Sequence, residues 1–478
     1  MSLFFVSVAL LVAGYFTYGV LVDRLFGPDL GRPTPAMVRP DGVDYVPMSW
    51  PKIFLIQLLN IAGVGPIFGA IAGALWGPVA FLWIVFGSIF AGGVHDYLSG
   101  LLSIRNRGGS ISEIVGFYLG PAMKTFARVF SVVLLVLVGT VFVTGPARLL
   151  AGLTPDAVSY NGWLVVVLVY YFLATMLPID KLIGRLYPAF GLVLLVMAAG
   201  IAGGLVVQGY HLPSFTLANL HPSGLPVWAL LFVSIACGAI SGFHATQSPL
   251  MARCLTTERY GRRVFYGAMI GEGIIALIWA AAGMAFYQGT PGLADALKAG
   301  GPGGVVHTVS MSLLGGFGGV LAILGVVVCP ITSGDTAFRS ARLTLADWIG
   351  MDQKPVAKRF LIAIPMFAVG GALSQMNFDV LWRYFAWSNQ TLAMLVLWTG
   401  AVYFVRAGKP HRIATVPAVF MTAVSATYLL QAPEGFNLPT AVAYPAGLAV
   451  AAAVFGVFLG VVFRRNAGRA ADLASAEG

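Results

Sequence analysis

Charged side chains are scarce in this chain. Asp, Glu, Lys and Arg make up 10% of its 478 residues, against 58% hydrophobic ones. Soluble domains carry about 25% charged residues, so a core wrapped in a charged, water-facing surface is excluded. The mean hydropathy of +0.87 points instead to a polytopic membrane protein. Cysteine is also rare: Cys237, Cys254 and Cys329 are too widely spaced for a disulfide framework or a metal-ligand cluster, and they read as small packing residues. The six histidines form no H-E-x-x-H or H-x-x-x-H set, which removes the zinc-hydrolase signatures. The formal charge of +10 would suit a nucleic-acid binder. Lys and Arg, however, sit in short loops between apolar runs, as they do in cytoplasmic loops, so the partner implied is the lipid bilayer and not nucleic acid.

Long apolar runs are what the chain has instead. Met1 to Val22 is apolar but lacks the basic start of a cleaved signal peptide, and it reads as a retained first helix. Runs able to cross ~30 Å of hydrocarbon predict an all-α fold of about thirteen helices. They lie near 3–22, 53–75, 79–103, 125–150, 162–178, 187–208, 226–250, 264–287, 306–336, 360–375, 380–405, 412–430 and 439–463. Alternate loops are basic: Arg24 to Lys52, Arg105 to Lys124, Arg253 to Arg263, and Arg339 to Arg359. Between them, 76–78 and 209–225 have no Lys or Arg, and 288–304 has only Lys298. This alternation places the N-terminus outside and Arg464, Arg465 and Arg469 inside. In the loop after the third helix, Ser110-Ile-Ser-Glu113 has the form of a capping box and opens a short interfacial helix.

Two of these helices contain polar, glycine-rich breaks. One is Cys237-Gly-Ala-Ile-Ser-Gly-Phe-His-Ala-Thr-Gln-Ser-Pro249; the other is Asn60-Ile-Ala-Gly-Val-Gly-Pro66, where Pro66 removes a helical donor. Unpaired backbone costs several kcal/mol in hydrocarbon, so a break persists only within protein or beside a water-filled cavity, and such breaks often form binding sites. Close helix packing is the other use of small residues there. The breaks lie five helices apart, and an odd-numbered repeat returns with inverted orientation. Helices two to six and seven to eleven therefore read as inverted copies, supported by the echo of Val143-Thr-Gly-Pro-Ala-Arg148 in Ile331-Thr-Ser-Gly-Asp-Thr-Ala-Phe-Arg339.

The chain resembles the carbon starvation protein (CstA) family of bacterial inner-membrane transporters. The resemblance rests on Gly42-Val-Asp-Tyr-Val-Pro47, Ile61-Ala-Gly-Val-Gly-Pro66, His95-Asp-Tyr97, Cys237-Gly-Ala-Ile-Ser-Gly-Phe-His244, Tyr266-Gly-Ala-Met269, Ser340-Ala-Arg-Leu-Thr-Leu-Ala-Asp347 and Asn389-Gln-Thr-Leu-Ala393. It implies uptake of peptides or pyruvate, driven by an ion gradient, on a LeuT-like 5+5 inverted-repeat scaffold. The chain departs from the long members in being shorter and in carrying Gln57 and Asn60 where those are His-rich.

Polar and ionisable residues within the helices are the candidate site. Asn60, Gly63, Gly65, Ser241, Gly242, Phe243, His244, Asn389 and Gln390 are expected to bind substrate. His244 suits a carboxylate or a proton, helped by freed N–H groups of Ser241 to Phe243; its structural alternative is a hydrogen bond within the bundle. Asp96, Glu272, Thr332, Ser333 and Asp335 are the candidates for ion or proton coupling. Hydroxyls of Thr332 and Ser333 with carbonyls around Ala62 to Gly65 would form a sodium cage, as the LeuT-like resemblance implies. The competing structural readings pair Asp335 with Arg339, Glu272 with Arg262 or Arg263, and place His95-Asp96 at a helix end near the cytoplasm. Arg383 is expected to snorkel.

An enzyme is disfavoured because Gly238-Ala-Ile-Ser-Gly242 lacks serine-hydrolase spacing. A channel lined by the two broken helices is a further alternative. The expected organisation is a peripheral N-terminal unit at 1–52, repeats at 53–208 and 226–406, two peripheral helices at 412–463 and a cytoplasmic tail at 464–478. No cofactor is expected beyond bound sodium. The function expected is proton-coupled import of peptides or a small carboxylate by alternating access, with sodium coupling as the alternative; the oligomeric state is left open.

Overall fold

A computed structural model describes all residues except 43, 155–156, 177–182, 354 and 477–478. The expected ends of the fifth helix at 178 and of the tail at 478 lie outside the described residues. Among the described residues the fold is all-helical, with one isolated bridge between Met48 and Leu255. In chain order the principal helices are α1 Ser2–Phe26, α2 Trp50–Ile61, α3 Gly65–Trp76, α4 Val79–Arg105, α5 Ile111–Leu119 and α6 Pro121–Leu153. There follow α7 Tyr160–Met176, α8 Ile183–Val207, α9 Leu230–Ser234, α10 Gly242–Ala252, α11 Gly267–Phe286 and α12 Thr290–Ile323. The last are α13 Cys329–Ile349, α14 Val356–Leu373, α15 Phe378–Ala407, α16 Arg412–Gln431 and α17 Thr440–Ala476.

Among the described residues ten helices are long and apolar enough to cross a membrane, and the bent pair α2–α3 makes an eleventh candidate. Two further expected segments are present in other forms: α7 is a shorter apolar helix, and 226–250 is divided between α9 and α10, so the second break spans 235–241 and not the expected 237–249, with His244 in the first turn of α10 and Pro249 inside it. The expected helix 306–336 also divides, because Gly315 takes positive φ inside α12 and a π-helical turn, Leu324–Val328, separates it from α13; Gly301, before the expected start, makes a second kink in α12. Prolines open α2, α3, α6 and α13, where the missing N–H is not needed.

Burial separates a centre from a periphery. The apolar windows of the span ending in α11 and of α15 are each 83% buried, whereas that of α17 is 17% buried and that of α1 28%. The exposed residues of outer helices include Val133, Val165, Val196, Leu361 and Val457. Apolar surface of this extent is stable against lipid, not water. The polar residues are concentrated at the centre, among α2, α4, α10, α11, α13 and α15.

Helix α5 forms as expected, but its capping box does not. Ser110 is the N-cap residue without a side-chain cap bond and meets the Ser112 hydroxyl at 3.1 Å. Glu113 turns to α6, where Lys124 lies 2.6 Å away and Arg128 also pairs with it. Two cations outcompete a single backbone N–H for the carboxylate.

Candidate functional site

The two broken segments pack directly against each other. α2 and α3 meet at a bend of 48°. A Cβ added at Gly65 would lie 2.4 Å from Cys237 Sγ, so only glycine lets the first break approach the second this closely. Gly63 fits between Phe142 and Ser333 in the same way.

The second break leaves backbone groups without helical partners, and α4 and α15 supply them. The π-helical turn Ser88–Gly92 lies within α4, and Ser88 Oγ donates to Gly238 O at 3.1 Å. Trp83 Nε1 donates to Ile235 O at 3.2 Å. From α15, Gln390 Nε2 donates to Phe232 O at 2.8 Å. Asn389 Oδ1 accepts from Phe243 N at 2.7 Å and from Ser241 Oγ at 3.0 Å, while Asn389 Nδ2 lies 3.5 Å from Cys237 Sγ. Gly242 allows this contact, because a Cβ there would sit 2.4 Å from Asn389 O. The two neighbouring helices thus hold the break through the backbone groups of Phe232, Ile235, Gly238 and Phe243. One expectation changes: the Phe243 N–H is committed to Asn389 and is not free for an anion.

Around this break lies a chain of ionisable side chains, each fully buried. His95 Nδ1 is 2.7 Å from Asp96 Oδ1, and Asp96 Oδ2 is 2.9 Å from His244 Nδ1. His244 Nε2 lies 3.3 Å from Glu272 Oε2, within ion-pair range but misaligned for a hydrogen bond. One donor atom from each of Cys237, His244 and Glu272 lies within 4.8 Å of the others. The order His95, Asp96, His244, Glu272 joins α4, α10 and α11, so the structure brings together three of the expected residues.

Two expectations about these groups are corrected. His95 and Asp96 lie inside α4, on the turn following its π-helical segment, and not at a helix end. Glu272 faces His244, whereas Arg262 stacks on Tyr15 and Arg263 on Trp50 and Tyr260. The room beside Glu272 comes partly from Gly273, where a Cβ would meet Ser88 Oγ at 2.6 Å.

Thr332, Ser333 and Asp335 form a second group at the start of α13. Thr332 Oγ1 donates to Cys329 O at 2.7 Å; Ser333 Oγ lies 3.1 Å from both Cys329 O and Leu59 O. The α2 carbonyl that Ser333 reaches is therefore that of Leu59, one turn before the expected Ala62. Asp335 Oδ2 accepts from Tyr187 at 2.6 Å, and its Oδ1 has no hydrogen-bond partner. Asn60 is fully buried with both amide atoms unpartnered, and Gln57, Gln247 and Gln390 each have an unpartnered carbonyl oxygen. Arg383 does not snorkel alone: its Nε lies 3.2 Å from Glu434 Oε2.

Sequence reasoning missed Cys237, Tyr187, Ser88 and Trp83 as parts of these clusters. Cys237 had one available signal, its place seven residues before His244 across a break. The others come from distant helices and carried none. It also missed a vestibule above the breaks, with cavities of about 480 and 380 Å³ sharing Phe68, Pro302, Phe378 and Asp379. Arg148 and His307 line the larger. At the opposite end, a cleft between Thr246, Arg253 and Ser340 holds only about 20 Å³.

Residues 1–160 and 147–290 match the family model described as carbon starvation protein CstA. An uncharacterized membrane protein of Haemophilus influenzae is 46% identical over 349 residues, covering 62% of this chain and 94% of that one. The peptide transporter CstA of Campylobacter jejuni is 26% identical, with 93% of this chain and 82% of that protein covered. The pyruvate/proton symporter BtsT of Escherichia coli is 27% identical over 357 residues, 60% of this chain and 50% of that protein. Among solved structures, a manganese transporter of Eremococcus coleocola aligns over 89% of this chain and 98% of its own at a TM-score of 0.49 and 11% identity.

Proposed function

This chain belongs to the carbon starvation protein CstA family, and from that premise we propose a secondary active transporter of the inner membrane that imports peptides or a small carboxylate such as pyruvate, coupled to protons. The observation that carries the coupling is the buried chain His95, Asp96, His244 and Glu272 beside a broken helix. Ionisable groups are costly in a membrane, and the hydrogen-bonded His95, Asp96 and His244, with Glu272 within ion-pair range, can hold a proton and pass it on. Relatives that carry peptides, or pyruvate with protons, support this substrate class.

Alternating access is assigned to two inverted five-helix units, 53–208 and 226–406, with 1–52 and 412–463 peripheral and 464–478 a cytoplasmic tail. In this arrangement the mutual packing of the two breaks at Gly65 and Cys237 is the site around which the units rock. Loop charges set the N-terminus outside, so the vestibule at Arg148 and Phe378 opens outward. The narrow cleft at Thr246 and Ser340 lies on the closed inner side. Substrate contacts fall to Asn60, Gly63, Gly65, Ser241, Gly242, Phe243, His244, Asn389 and Gln390. Among these, the unpartnered amide of Asn60 is the most direct candidate for a hydrogen bond to substrate.

Sodium coupling is the second reading. It is favoured by the oxygens of Leu59, Cys329, Thr332 and Ser333, which meet where α2 ends and α13 begins. Proteoliposomes distinguish the two: under the proton reading, uptake of pyruvate or a dipeptide stops when the proton gradient is dissipated at fixed sodium. Uptake that stops only on sodium removal transfers the coupling to Thr332 and Ser333. Substrate-stimulated counterflow separates a carrier from a channel.

A further inference from the structure

We propose that Cys237, His244 and Glu272 form a binding site for a borderline-soft divalent transition-metal ion of the zinc type. The three residues offer sulfur, nitrogen and oxygen donors within 4.8 Å of one another, and all three side chains are buried. The separation of His244 Nε2 and Glu272 Oε2 is 3.3 Å. Two ligands at ~2.0 Å from one tetrahedral zinc ion stand about 3.3 Å apart, so this pair already spans one edge of a coordination tetrahedron.

The bonding around the cluster independently points to a ligand. His244 Nε2 and Glu272 Oε2 meet only as a misaligned ion pair, and Glu272 Oε1 has no hydrogen-bond partner, although all are fully buried. Such atoms are costly in a membrane interior unless a ligand satisfies them. His244 Nδ1, in contrast, is held by Asp96 Oδ2 at 2.9 Å, and Asp96 is in turn held by His95. A carboxylate on one imidazole nitrogen fixes the ring and directs the other toward a metal. The sulfur donor and the imidazole disfavour calcium and magnesium, which take oxygen ligands.

Binding would release the Cys237 thiol proton and tie the 235–241 connection to α10 and α11. With three protein ligands, the fourth position is left for water or another ligand. The site shares His244 and Glu272 with the proposed proton path, but it rests on its own geometry.

The test is titration of the purified full chain in detergent with cobalt(II) alone, followed by displacement with zinc(II). Wild type and the Cys254→Ala/Cys329→Ala variant, in which Cys237 is the sole thiol, are expected to bind one equivalent with a thiolate-to-cobalt charge-transfer band. Cys237→Ala should lose the band, and Asp96→Asn should weaken binding roughly 10–100-fold. Absence of the band from the folded Cys237-only chain overturns the proposal, as does undiminished cobalt affinity in Cys237→Ala. Should Cys237→Ala not fold, the Cys237-only chain decides alone. These readouts need no transport, so a failed metal titration leaves the proton reading standing, and uptake independent of His244 leaves the metal site standing.

Discussion

Replacing Asn389 by Ala removes the side chain that closes the second break. Its Oδ1 accepts from Phe243 N at 2.7 Å and from Ser241 Oγ at 3.0 Å, inside a fully buried environment. The two donors differ in what they can do next. The Ser241 hydroxyl can rotate toward Cys237 Sγ at 3.6 Å, so its loss should cost about the ~0.6 kcal/mol typical of a membrane-protein hydrogen bond. The Phe243 N–H is fixed in the backbone, and a buried donor left unmade costs about 1–3 kcal/mol. The sum predicts a destabilisation of about 2–4 kcal/mol for Asn389→Ala, measured by equilibrium unfolding in detergent micelles. A double-mutant cycle with Ser241→Ala should return a coupling near 0.6 kcal/mol, leaving most of the Asn389 effect intact. Gln390→Ala provides the comparison: it releases only the Phe232 carbonyl, at a cost of about 1 kcal/mol. If Asn389→Ala stays within about 0.5 kcal/mol of wild type, as ordinary surface changes do, the reasoning that α15 holds the break together is wrong.

Other outcomes follow from the same contacts. His244→Ala should abolish uptake while the protein still elutes as a folded species; normal uptake would remove His244 from the site. Gly65→Ala should destabilise by about 1–3 kcal/mol through overpacking against Cys237, and unchanged thermal stability would show that the breaks can separate freely. At α5, burial pushes the Glu113 carboxyl up, but hydrogen bonds and charge from Lys124 and Arg128 outweigh it and hold it below its usual range. Its contribution is therefore present above the unfolded-state pKa and lost as pH falls through the lower folded-state pKa. Glu113→Gln should flatten stability across that acidic window, and an unchanged pH profile would count against the α5–α6 clamp.

Several features were legible in the chain because they depend on local chemistry. Scarce charge and long apolar runs determined a membrane protein of many helices, since hydrocarbon requires each spanning backbone to satisfy itself. Glycine with Pro66 marked the first break and glycine with polar residues the second, whereas Pro249 is accommodated inside α10, and the Cys237 to His244 motif carried the family. The glycine kinks of α12 were less legible, because Gly301 and Gly315 have the same composition as tightly packed helix.

Tertiary structure decided the partnerships. Asp96, His244 and Glu272 are separated by 148 and 28 residues in sequence, yet they converge because α4, α10 and α11 pack around one break. Periodicity can place each residue on a helix, but it cannot say which helices will touch or how they are rotated. For the same reason the sequence left Glu272 beside Arg262 or Arg263, Ser333 beside Ala62, and Cys237 as mere packing. The sequence alone determined that two helices break, near Pro66 and near Gly238; only packing decided how far each break runs, that the two meet, what holds them, and which charged groups gather beside them.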